Sequence, residues 1–163
     1  MAYRVKQFAC AFATRLRPQE RTEVENLLNP DELALFYGMS RPALHHSLRV
    51  FRKLRMECPD DAQLLAAALL HDVGKGRMSI AHRVAVVLLE ASRPDVLEAI
   101  ASREGPGWRR GFYEHQHHPD LGAEMVRRAG SGQRVVELIR HHHTADLDGL
   151  LGLASLRMAD EGS

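Results

Sequence analysis

Cysteine is scarce in this chain and long apolar runs are missing, and each absence narrows the field. The two cysteines, Cys10 and Cys58, are far apart and show no metal-type spacing, which fits a reducing compartment and no disulfide framework. No uninterrupted apolar run approaches membrane-spanning length, and the start, MAYRVKQFACAF, lacks a charged region followed by an apolar signal core. A cytoplasmic protein with no membrane partner is expected. Net charge is nearly absent too: 22 Lys plus Arg against 21 Asp plus Glu leave +1, so nothing supports a nucleic-acid partner. Internal repeats, low-complexity tracts, coiled-coil heptads and strand-like alternation are all missing, which leaves helices. With 163 residues, 45% of them hydrophobic, the chain can build one proper core. The expected fold is all-α, a single-domain helical bundle.

What the chain has in excess is histidine. There are ten, six of them between His115 and His143. The central stretch is LLAAALLHDVGK, from Leu64 to Lys75, where an apolar run ends in the adjacent pair His71 and Asp72. Such a run predicts a buried helix, so the pair sits at its inner end, where neither residue belongs without a partner. A divalent cation is the most economical one, since His supplies a neutral nitrogen and Asp two oxygens that can bridge two ions. Gly74 is expected to supply the left-handed turn that stops the helix, and Lys75 follows at the mouth.

Taken in order, Val5, Phe8, Ala9, Phe12 and Leu16 repeat at helical spacing, and Pro18 breaks the chain before a segment carrying Val24, Leu27 and Leu28. Asn29-Pro30-Asp31 opens a short helix with Leu33, Phe36 and Tyr37, ended by Gly38. These first forty residues are expected to pack into the same domain as the core, residues 41–163. Pro42 starts a helix in which Ala43, His46, Val50 and Leu54 share one stripe. Asp60 and Asp61 can cap the His-Asp helix. Ser79 can cap the next, with Ile80, Val84, Val87, Leu88 and Ala91 packing inward, and Pro94 restarts the chain through Val96, Leu97 and Ile100. SREGPGW, from Ser102 to Trp108, reads as a loop of the kind that shapes a substrate mouth. His115, His117 and His118 stand at or before a helix start marked by Pro119, whose predicted core stripe is Leu121, Met125 and Ala129, with Gly130 as the stop. In the following helix His142 is in phase with Val135, Leu138 and Ile139, and in the last helix Asp160 is in phase with Leu150, Leu153 and Leu156 or Arg157.

Five helices or helix starts therefore each offer an imidazole or carboxylate in core phase: His46, His71 with Asp72, His118, His142 and Asp160. One buried polar residue is ordinary. Five on one bundle favour a mixed nitrogen and oxygen metal site.

The order His, His-Asp, His, Asp resembles the HD superfamily of metal-dependent phosphohydrolases. HDVGK is similar to the HDIGK motif of its HDIG branch, and HSLRV, HHPDLGAEM, LIRHHH and the terminal RMAD look like family wording, covering roughly Arg41 to the C-terminus. The resemblance implies an all-α domain with one or two metal ions, two being expected here. Iron or manganese are the first choices, with nickel, magnesium, zinc or cobalt as alternatives. Carried over residue by residue, it implies that His46, His71, Asp72 and Asp160 hold the first ion. His118 and His142, with a bridging Asp72, would hold the second, His143 being a weaker ligand and His117 and His115 weaker still.

The implied activity is hydrolysis of a phosphate ester, a nucleotide or related phosphomonoester or phosphodiester, by a metal-activated water. Asp72 and Lys75 would serve catalysis, and the partner would be a small phosphorylated, nucleotide-like substrate. The bland alternative for Lys75 is a solvated lysine at a helix carboxyl end. Arg77, Arg109 and Arg110 are candidate phosphate contacts by charge and loop position only. HHHTADLDGLL lacks the Glu and the Gly-Tyr-Pro of the HD-GYP cyclic-dinucleotide phosphodiesterases, and Pro42 stands where their three-metal sites carry a glutamate. The competing reading is a non-catalytic sensor or scaffold that keeps the fold and the metal.

Overall fold

Caps and apolar stripes set the helices of the computed structural model, which describes residues 16–76, 85–86, 88–89, 91–144 and 149–163. The Val5, Phe8, Ala9 and Phe12 stripe, Cys10, Arg77, and the cap at Ser79 with Ile80, Val84 and Val87 lie outside the described residues. Among the described residues there are nine α-helices and no strand: α1 Pro18–Leu27, α2 Pro30–Gly38, α3 Arg41–Glu57, α4 Ala62–Leu70, α5 Pro94–Ile100, α6 Gly107–Gln116, α7 His118–Arg128, α8 Gln133–His141 and α9 Leu153–Glu161. A 3-10 turn, Val73–Lys75, follows α4.

The start of α2 shows how local chemistry does this. Asn29 Oδ1 accepts from the amides of Asp31 and Glu32, while Glu32 Oε2 accepts from Asn29 N at 2.8 Å, a reciprocal capping box that satisfies amides the helix cannot. Asp61 caps α4 by accepting from Leu64 N at 3.1 Å and also takes a two-pronged ion pair from Arg134 at 2.6 and 2.7 Å, tying the start of α4 to α8. Helix α4 is apolar on every side because it is the centre of the core. Leu64 through Leu70 are all buried, and α1, α2, α3, α7, α8 and α9 contribute to one continuous cluster around them.

Four local expectations are corrected. Gly74 does not make a left-handed turn; the positive φ belongs to Gly76, at 59°. Gly74 is instead needed for close approach. A Cβ there would lie 2.6 Å from Gly122 N, and closer still to the His118 carbonyl oxygen. The core face of α7 is one residue round from the Leu121, Met125, Ala129 stripe: Gly122, Ala123 and Val126 are buried and Met125 is exposed. Small residues win because α7 rests against the backbone of the turn after α4, where no large side chain fits. Leu88 is 62% exposed and Ala91 is exposed, while Val86 packs with Leu97 and Phe112 in a small second cluster. Part of the expected loop at Ser102–Trp108 is helical as well, since α6 starts at Gly107.

Candidate metal centre

Three histidines are held by one device. A backbone carbonyl can only accept, so the ring nitrogen facing it carries the proton. His71 Nδ1 donates to Ala68 O at 3.0 Å, His118 Nδ1 to His115 O at 2.7 Å and His142 Nδ1 to Ile139 O at 2.6 Å. Each carbonyl belongs to the last turn of a helix, α4, α6 and α8 in turn, where carbonyls have no partner within the helix. Each histidine thus satisfies a helix end and fixes its own tautomer at once. In the neutral rings Nε2 is left as a bare lone pair, the form in which imidazole binds metals.

These nitrogens converge with two carboxylates. His46, His71 and Asp72 offer ligand atoms within 4.8 Å of one another, and His118, His142 and His143 form a second such group. Asp160 Oδ1 joins the first, 2.6 Å from His46 Nε2 and 3.4 Å from His71 Nε2. Asp72 Oδ1 lies between the groups, 3.4 Å from His71 Nε2 and 3.8 Å from His118 Nε2. The Gly74 and Gly122 contact sets this spacing, because it presses the turn that carries Asp72 against the helix that starts at His118.

The electrostatics are those of a cation site. Burial drives the His118 and His142 pKa values down to about 3, helped by Lys75 at His118 and by His71 at His142, so both rings are neutral. Their Nε2 atoms are nevertheless 3.3 Å apart. Two acceptors facing each other at that distance repel unless positive charge lies between them. Burial also lowers the His143 pKa, and its Nε2 is 3.1 Å from that of His118. At the other group, burial opposes charge on His71, but Asp72 and Asp160 overcome it and raise its pKa. Burial likewise works against the Asp72 carboxylate, yet His71 and Lys75 bring its pKa down to about 2. For Asp160, burial is outweighed by the hydrogen bond from His46 and by the nearby His71 ring, which together hold it well below the usual carboxylate range. His71 Nε2 is buried with no hydrogen-bond partner. Lone pairs and carboxylates directed at one another, with one nitrogen orphaned, fit a divalent cation bound by nitrogen and oxygen.

The remaining candidates divide clearly. Lys75 Nζ is 2.8 Å from Asp72 Oδ1. It lines an open mouth of about 350 Å³ together with Pro42, Ala43, His46, Arg49, Asp72 and His115. His115 also gives its carbonyl to His118, whereas His117 is exposed and packs on the Tyr113 ring. Arg109 is not at this mouth: its guanidinium donates to the Ile100 and Ala99 carbonyls and closes the end of α5. Arg110 pairs with Glu114 at 2.9 Å and borders a different hollow. Arg49 was not singled out from the sequence, although its place three residues after His46 on α3 puts it on the neighbouring face of that helix.

A helical bundle that gathers imidazoles and carboxylates at its centre has the layout in which bundle-core metal sites are built. The family is shown directly: the HD domain model matches residues 43–155, and the chain belongs to the HD-domain family. That membership places it in a superfamily of metal-dependent phosphohydrolases. The match includes every histidine of both groups and ends before Asp160, which the fold brings back to His46. Comparisons with curated proteins and with solved structures gave no match.

Proposed function

We propose that this protein is a metal-dependent hydrolase of a phosphate ester, a nucleotide or a related phosphomonoester or phosphodiester. The observation that carries it is the approach of the neutral His118 and His142 Nε2 atoms to 3.3 Å, beside a second His and Asp group that shares Asp72. His46, His71, Asp72 and Asp160 would hold one divalent cation, and Asp72, His118 and His142, with His143 beside them, would hold another. When bound, such a pair supplies Lewis acidity toward phosphoryl oxygens and lowers the pKa of a water toward neutrality. The chain's own contribution is to keep the imidazoles neutral and oriented through the helix-end carbonyls. Lys75, tethered to Asp72 at the mouth, would meet a substrate phosphate as a point charge.

The test pairs elemental analysis with a phosphatase and phosphodiesterase panel, using protein loaded in turn with iron, manganese, nickel and magnesium. Close to two ions per chain and turnover of at least one substrate are expected. Asp72→Ala should lose metal and turnover together. Lys75→Ala should keep its metal and lose roughly thirtyfold in kcat/KM, the equivalent of about 2 kcal/mol for one charge-assisted contact. A wild type that binds metal but turns over nothing in the panel makes the sensor or scaffold reading the better one.

A further inference from the structure

The mouth of the metal centre holds a cation that the ligand set does not use. Arg49 is on the exposed side of α3, three residues beyond His46, and borders the same opening as His46, Asp72 and Lys75. Several other arginines of the molecule are committed to carboxylates. On the same helix, Arg52 forks onto Glu20 at 2.7 and 2.9 Å and Arg55 meets Glu23. On α8 and α7, Arg134 grips Asp61 and Arg127 and Arg128 both hold Glu124. Arg49 forms no ion pair with any described residue. The one carboxylate that lines the mouth with it, Asp72, is engaged by Lys75 and faces His71, while Asp160 faces His46 and His71. A guanidinium left free beside an anion-processing centre has a fork of N–H donors whose natural partner is a phosphate, which it can bind through two oxygens.

We infer that Arg49 is the substrate-anchoring residue of this site, binding a phosphate at the outer rim while the inner side chains face the metals. The inference rests on the phosphohydrolase reading and adds a specificity element to it. The substrate would carry a phosphate group exposed enough to reach from the His and Asp groups to the outer turn of α3. Lys75 and Arg49 would then flank it from two elements, the turn after α4 and helix α3, so that charge on the substrate is met from both sides of the opening.

The experiment measures inorganic phosphate binding by calorimetry on manganese-loaded wild type, Arg49→Ala, Arg49→Lys and, as a control for general charge, Arg128→Ala. Metal content is determined for each. Arg49→Ala should keep its metal and bind phosphate about tenfold more weakly or worse. Arg49→Lys should recover only part of the loss, because an ammonium restores the charge but not the fork. Arg128→Ala should match the wild type. With a turned-over substrate, the Arg49→Ala defect should appear mainly in KM. Equal phosphate affinity in wild type and Arg49→Ala at equal metal content overturns the inference and leaves the hydrolase reading standing. An equal loss in Arg128→Ala also overturns it, since net charge alone would then be responsible. A metal-loaded wild type that binds no phosphate and hydrolyses nothing overturns both.

Discussion

A histidine placed just past the last turn of a helix meets a carbonyl that the helix cannot satisfy, and this chain uses that fact three times. His71, His118 and His142 each spend Nδ1–H on such a carbonyl, so the ligand nitrogen is chosen by main-chain hydrogen bonding before any ion arrives. The consequence separates His142 from its neighbour. His142 is fully buried, whereas His141 reaches Glu137 at 3.3 Å on the outside of α8. His142→Ala is expected to weaken metal binding by at least about tenfold, and His141→Ala to leave it near wild type. A competitive titration against a metallochromic indicator decides it, and equal effects would reject the role of His142. At this scale most of the inward positions were legible in the sequence, because helical phase points His46, His142 and Asp160 inward and a buried apolar run ends in His71 and Asp72. Arg49 was not legible. An exposed arginine on a helix is usually a solvated one, and only its position at the mouth distinguishes it.

Between elements, the contact that matters has no side chains in it. Gly74 in the turn after α4 and Gly122 in α7 let backbone meet backbone, and a Cβ on Gly122 would come within 3.3 Å of Ile139 Cγ2. Gly74→Ala therefore has to push α7 away from the turn, at a cost of about 2–4 kcal/mol and with His118 carried off from Asp72. Urea denaturation combined with metal titration measures both effects; unchanged stability with unchanged metal affinity would show that the approach is dispensable. This contact was the least legible part of the fold. Periodicity read from large apolar residues points to Leu121, Met125 and Ala129, while the face that is buried carries Gly122, Ala123 and Val126. A close helix approach selects for small residues, which hydrophobicity ranks low. The same weakness hid α6, of which Phe112 is the buried residue. By contrast, α4 was readable from its uninterrupted apolar run, and α2 from its cap and terminal glycine.

For the whole molecule, the candidate centre lies where α3, α4, α7, α8 and α9 meet, so metal binding there would be coupled to folding. At a hundredfold excess of metal over Kd the coupling adds about 2.7 kcal/mol. For a chain of 163 residues that corresponds to roughly 5–11 °C in Tm. Calorimetric melting with manganese, before and after chelation, should show a shift of this size, and its absence would mean that the helices close equally well without the ion. The Gly74 and Gly122 contact adds a further consequence, for the ionic radius that the pocket tolerates. The backbones that carry Asp72 and His118 are set apart by main chain resting on main chain, so their spacing does not depend on how any side chain packs between them. A larger cation such as calcium would meet a backbone that yields only by tilting a helix, and a ligand set rich in nitrogen that this oxygen-seeking ion disfavours.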